Sequence, residues 1–385
     1  MNSAHRLPAM DNLRALAMLG GVFFHAALAH SPLMHRLWPT ADAGQSAIVD
    51  MLAWFLHGFR MPVFFLVAGY FSAHLLARHG MSGLFRQRGA RVLLPLLVFL
   101  PLASLAMQEL TLLAVANSAQ PSPILLWVRE HLNGGGALPL FNGWMHLWFL
   151  FYLLVFTLCA WIVVTLGLTR IGDRLATMSP AALALLIPIM LTPALAAAGV
   201  PWPAPAGFLP TLWAMVYFGT YFALGACLFR HADLIERLRS ATSLLLAGGL
   251  LAYALSMPWR GGSVPESALA HGALLLLEAA SGCWMTLWCL LAANHWLGAR
   301  RRVLRWLADA SYWTYLIHLP VLFGIQYRLM DVALPWPTKW LLATTLTLGF
   351  CLVSYQWLVR DTALGRLLDG RLFVTRTRAL QEGAA

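Results

Sequence analysis

Residues 11–30 read DNLRALAMLGGVFFHAALAH, an apolar run about long enough to cross a bilayer that nevertheless carries Arg14 and His25. The two are eleven residues apart, and eleven steps of ~100° end only ~20° past three full turns. Both therefore project from one helix face, about 16 Å apart along the axis, with Asp11, Met18 and Gly21 on the same stripe. Arg14 sits at headgroup depth and His25 near the membrane centre. Ala27-Leu28-Ala29 would pass as a signal-peptide cleavage site, but a discarded segment has no use for ionisable groups that are costly in lipid. The run reads as a retained first span.

The rest of the chain extends that reading. Of 385 residues, 60% are hydrophobic and 11% charged, with mean hydropathy +0.70, which excludes an ordinary soluble globule. The expected fold is all-α and polytopic, one domain over 1–385, with ten spans near 13–30, 47–77, 91–116, 144–168, 180–198, 211–229, 242–258, 268–297, 309–328 and 338–359. With both termini cytoplasmic, all but six of the 26 Lys and Arg fall on inner segments. The six are Arg36, Arg60, Arg129, Arg260, Arg328 and Lys339. Net charge +11 thus follows from the positive-inside rule, and no nucleic-acid partner is implied. The five Cys lie inside apolar runs without metal-ligand spacing, so neither a disulfide framework nor a metal site is expected. In the loop 117–143, ILLWVREHL followed by glycines reads as a short interfacial helix.

Ionisable groups within spans are the functional candidates. In the second span His57 and Arg60 lie one turn apart, with Pro62 permitting a kink and Gly69 a close helix contact. Arg60 needs an anion, and Glu109 and Glu278 lie at similar depth. His146 opens the fourth span, and His318 lies midway along the ninth, one turn after Tyr315. Each histidine read singly is a helix-packing hydrogen-bonder, but together they define a polar cavity in the outer half of the bundle. On the inner side Arg86, Arg88 and Arg91 include an R-x-x-R, whose guanidinium forks suit a ligand with several phosphates. Positive-inside bias accounts for the same arginines. The Trp-Pro clusters at 201–203, 258–259 and 335–337 read as outer interfacial anchors.

Arg14, ten intervening residues, His25 and then Arg88-x-x-Arg91 together resemble the acyltransferase-3 family of multi-spanning bacterial O-acyltransferases. FRMPVFFLVAGYFS, HLWFL and ASYWTYLIHLPV extend the likeness, most closely to members that modify periplasmic glucans. A second His is expected after His318, where this chain has Leu319. The resemblance implies an inner-membrane enzyme, cytoplasmic acyl-CoA as donor substrate rather than a resident cofactor, and an envelope glycan as acceptor. It implies His25 as the catalytic residue, as base or as acyl carrier. Residue chemistry fits: transfer of a succinyl or acetyl group to an alcohol needs a base for the hydroxyl proton. Arg14 would line the path of the pantetheine arm, Arg60 would stabilise an oxyanion, Arg86, Arg88 and Arg91 would hold phosphates, and His57, His146 and His318 would contact substrate. Polar residues at mid-membrane depth also fit a transporter or flippase for a glycan precursor, or a scaffold in which they serve packing alone.

Overall fold

The computed structural model describes residues 3–259, 265–299 and 301–368, whose regular elements are all helices, with no strand among them. Arg260, Arg300 and the arginines after residue 368 lie outside them. Helix α1 (Ser3–Ala27) is followed by a tight turn and an extended segment that reaches α2 (Ala47–Arg88). The Ser46 hydroxyl caps α2 by accepting from Ile48 N. Within α2 the backbone leaves helical geometry at Gly80, φ 65°, and not at Pro62. A wide π-type turn, Gly89–Leu93, then leads into α3 (Leu94–Asn117). The expected interfacial helix is present as α4 (Pro123–Asn133), capped by Ser122 and ending at Gly134.

Helix α5 (Trp148–Thr165), the short α6 (Arg170–Ala176) and α7 (Pro180–Ala198) follow, then α8 (Leu212–Arg230), α9 (Asp233–Leu238) and α10 (Thr242–Ser256). The chain continues through α11 (Ala268–Trp296), α12 (Arg302–Met330), α13 (Trp336–Ser354) and α14 (Ala363–Leu368). Among the described residues, eight helical stretches are long and apolar enough to cross a membrane, against the ten spans expected. The expected spans 47–77 and 91–116 fall within one 71-residue stretch, Ala47–Asn117. The expected span 309–328 belongs to α12, whose middle is polar. Ser311, Thr314, His318 and Gln326 are buried there, facing protein where a lipid-facing helix would carry apolar groups.

Helix α1 occupies the centre, packed against α2, α11, α12 and α13. Close approach of α2 to α8 fixes the wall beside it. A Cβ on Gly69 would lie 1.9 Å from Phe222 O, and one on Gly225 1.8 Å from Leu66 O, so only glycine fits either crossing. Around this contact Phe65, Phe218, Tyr152 and Tyr221 are fully enclosed. At the end of the bundle where α1 stops, Lys339 Nζ lies 2.6 Å from Asp42, both nearly inaccessible. Thr40 donates to Gln326 at 2.7 Å, and Gln326 donates to Ala26 O at 3.0 Å. These bonds tie the segment after α1 onto α12 and α13. They also fix the position of Trp38.

Candidate active site

Five side chains singled out in the sequence, His25, His57, Arg60, His146 and His318, line one cavity of about 510 Å³. On α1 the stripe predicted by helical phase is the one that faces it: Met18, Gly21 and His25 are all in the wall. At its opposite end the cavity is bounded by Leu37, Trp38 and Pro39 after α1, by residues 138–145 and by Ala204 and Ala206. Leu37 is 66% exposed. The cavity therefore opens at the end of the bundle where α1 stops.

His25 is half-buried. Its ring stacks on Trp38, with centroids 5.9 Å apart, and lies 5.3 Å from the ring of His318. Its Nδ1 is buried without a hydrogen-bond partner. His318 donates from Nδ1 to Thr314 O and Tyr315 O, at 3.1 and 2.9 Å, and its Nε2 is buried and unpartnered. His146 is 5.3 Å from His318 on the other side and donates from Nε2 to Leu316 O at 3.2 Å. The turn that carries His146 is set by backbone constraints. Gly143 has φ 72° with Ala206 O where a Cβ would be, Met145 has φ 50°, and the Tyr315 hydroxyl donates to His146 O at 2.8 Å. His57 donates to Trp202 O at 2.9 Å and its ring packs 3.7 Å from that indole.

Arg60 lies over the Phe24 ring at 4.9 Å, and Gly21 makes room for it, since a Cβ there would stand 3.0 Å from Nη1. Its Nε is buried and unpartnered. The expectation that Glu109 or Glu278 would neutralise it is not met, because neither makes an ion pair with Arg60. Glu109 is on the exposed side of α3. Glu278 is buried on α11 within electrostatic range of Tyr217, and neither glutamate lines the cavity. Among the described residues, no aspartate or glutamate lines the cavity.

A second cluster forms at the other end of α1. Arg14 pairs with Asp11 at 3.2 Å, lies over Phe71 at 5.6 Å, and is within electrostatic range of Arg91 and Asp309. Arg88 donates to Ser72 Oγ and is within range of Arg91 and Arg14. Tyr312 donates to Arg91 O at 2.6 Å, which anchors the π-type turn to α12. Arg14 therefore belongs with the R-x-x-R pair rather than beside His25, whereas Arg86 is exposed. Between this cluster and the cavity stands Met18, buried on the same α1 stripe.

Two residues of the cavity region were not legible as such. Trp202, read as an interfacial anchor, is 4% exposed and forms the back of His57. Trp38 follows a span end in an unpatterned segment, and only the tertiary pinning of that segment brings it to His25.

A family model described as an acyltransferase domain matches residues 7–356. The chain belongs to the acyltransferase-3 family. This acyltransferase is 27% identical over 385 residues to glucans biosynthesis protein C of Salmonella typhimurium, covering 95% of each chain. It is 27% identical over 380 residues to the same protein of Salmonella typhi, covering 94% of each. None of the solved structures gives a significant match. The matched range covers nearly all of the described helices.

Proposed function

We propose that this enzyme transfers a succinyl group from cytoplasmic acyl-CoA to a hydroxyl of an envelope glycan, in the bacterial inner membrane, with His25 as the general base. The observation that carries the reading is a cavity containing an accessible imidazole and a buried guanidinium but no carboxylate. The hydroxyl proton passes to a His25 nitrogen as the alcohol oxygen attacks the thioester carbonyl. The tetrahedral intermediate then collapses, the C–S bond breaks, and the same proton leaves with the CoA sulfur. A dicarboxylic acyl group brings its own negative charge, which Arg60 otherwise lacks in this chamber.

Donor binding is assigned to Arg14, Arg88 and Arg91. Three guanidinium groups in mutual range repel one another, and a phosphate-rich ligand relieves that repulsion while offering bidentate partners. The eleven-residue rise from Arg14 to His25, about 16 Å, is comparable to an extended pantetheine arm. The arm has to pass Met18, a flexible side chain suited to yielding. The glycan hydroxyl enters from the open end past Leu37 and Trp38.

The test is transfer of labelled succinyl from succinyl-CoA to a glucan acceptor by purified protein in lipid. His25→Ala is expected to fold, insert and lose transfer to the uncatalysed background. Turnover of that variant comparable to the unsubstituted protein would remove His25 from the reaction.

A further inference from the structure

An imidazole base works efficiently only if something fixes which of its two nitrogens carries the proton. In hydrolytic triads a carboxylate does this by accepting from the far ring nitrogen. Here no carboxylate among the described residues lines the cavity, and His25 Nδ1 is buried with no partner among them. The nearest lone pair on another ring is that of His318. Its tautomer is set by its own backbone: Nδ1 faces two carbonyl oxygens, of Thr314 and Tyr315, and so must be the N–H. Nε2 is therefore the lone-pair nitrogen, and it is the buried atom left without a donor. The ring centroids are 5.3 Å apart. With each nitrogen about 1.2 Å from its ring centre, nitrogens turned toward each other come within about 3 Å, a hydrogen-bond distance.

We propose that His318 is the positioning residue for His25: His318 Nε2 accepts from His25 Nδ1–H, leaving His25 Nε2 as the lone pair presented to the substrate hydroxyl. This rests on the acyl-transfer reading of His25. When His25 Nε2 takes the hydroxyl proton, its Nδ1–H becomes a charge-assisted donor and the bond to His318 strengthens. The bond is neutral before transfer and tighter during it, so it favours the transition state over the ground state. His318 keeps its own proton on Nδ1 throughout and exchanges none. The other charged or titratable groups near the pair are His57 and Arg60 on α2, His146 on the turn before α5, and Tyr315 on α12. In this structure none of these groups, nor His318 itself, hydrogen-bonds His25 Nδ1; His318 is the imidazole whose ring lies beside that of His25, at 5.3 Å, so a turn of the two rings brings its Nε2 into reach.

The experiment uses the full chain in lipid with succinyl-CoA and a glucan. His318→Leu removes the acceptor, while His318→Gln keeps an oxygen acceptor at comparable length. The expected result for His318→Leu is a kcat lower by about 10²- to 10⁴-fold, the range that loss of base orientation produces, with KM for succinyl-CoA within about twofold. His318→Gln is expected to recover at least tenfold of that loss, a rescue that a packing role would not give. Nitrogen-15 NMR of labelled histidine in the unsubstituted protein supplies a readout that requires no variant to fold, and His25 protonated on Nδ1 is expected. His25 protonated on Nε2, or unchanged kcat in a folded His318→Leu, overturns the proposal. Full activity in His25→Ala would instead overturn the underlying assignment of the base, so the two failures are distinct.

Discussion

Arg60 is the residue whose surroundings are least balanced. A buried guanidinium that makes no ion pair carries a desolvation cost of several kcal/mol, and the Phe24 face, 4.9 Å away, returns only part of it. Its position is nonetheless prepared, since Gly21 leaves the space that Nη1 occupies. A carboxylate on the acyl tail would complete the site. A hydrogen bond to a charged group is worth about 1.5–3 kcal/mol, so Arg60→Met should lower kcat/KM for succinyl-CoA by roughly ten- to a hundredfold. Acetyl-CoA, which has no such charge, should be affected several-fold at most. Competition between the two donors at equal concentration measures the difference directly. An equal loss for both would assign Arg60 to the reacting carbonyl and not to the acyl tail.

Among the elements, α2 carries the greatest constraint because it holds His57 and Arg60 on one side and meets α8 on another. The α2–α8 crossing depends on two glycines whose missing Cβ atoms would overlap carbonyl oxygens. Backbone, not a flexible side chain, is what a new methyl group would meet, so the helices must separate. Gly225→Ala should therefore destabilise the folded protein by about 1–3 kcal/mol, the usual range for overpacking, and should reduce transfer because α2 moves with its site residues. Gly272→Ala on α11, where a Cβ meets nothing within 4 Å, should be neutral or slightly stabilising through helix propensity. Thermal unfolding of the two variants in the same detergent compares them, and an undisturbed Gly225→Ala would show that the crossing is looser than described. The sequence made half of this contact legible: Gly69 stood out in an apolar run, but nothing local paired it with Gly225. The same limit applies elsewhere. Helical phase alone put Met18, Gly21 and His25 on one stripe, and histidines scattered over four segments pointed to one chamber. The partner of Arg60 was misjudged because similar depth does not mean a shared face, and Glu278 lies within electrostatic range of Tyr217 and outside the cavity lining. The count of ten spans rested on apolar runs, and α12 stands apart from the eight stretches long and apolar enough to cross a membrane because its middle carries buried polar groups.

At the scale of the whole molecule the two clusters lie toward opposite ends of α1, with arginines at one end and a histidine-lined chamber open at the other. One helix thus connects the face proposed to bind phosphates to the face proposed to bind the hydroxyl, and Met18 lies between them on α1. On the proposed donor and acceptor assignments the reaction is vectorial. The proposed donor site then has the thioester reach His25 from the arginine side, where Arg14, Arg88 and Arg91 lie in mutual range. The same proposal has the glycan enter from the mouth, since the buried Met18 lies on α1 between the chamber and the arginine cluster. Reconstitution into vesicles with a single orientation tests this. With succinyl-CoA on the arginine side and glucan on the mouth side, succinylated glucan should accumulate on the mouth side. With both substrates supplied only at the mouth, product should fall at least tenfold, and Met18→Trp should reduce transfer from the arginine side while the protein still unfolds at its usual temperature. Equal product with both substrates at the mouth would mean that the donor enters by that route, and the arginine cluster would then be a topology signal without a ligand.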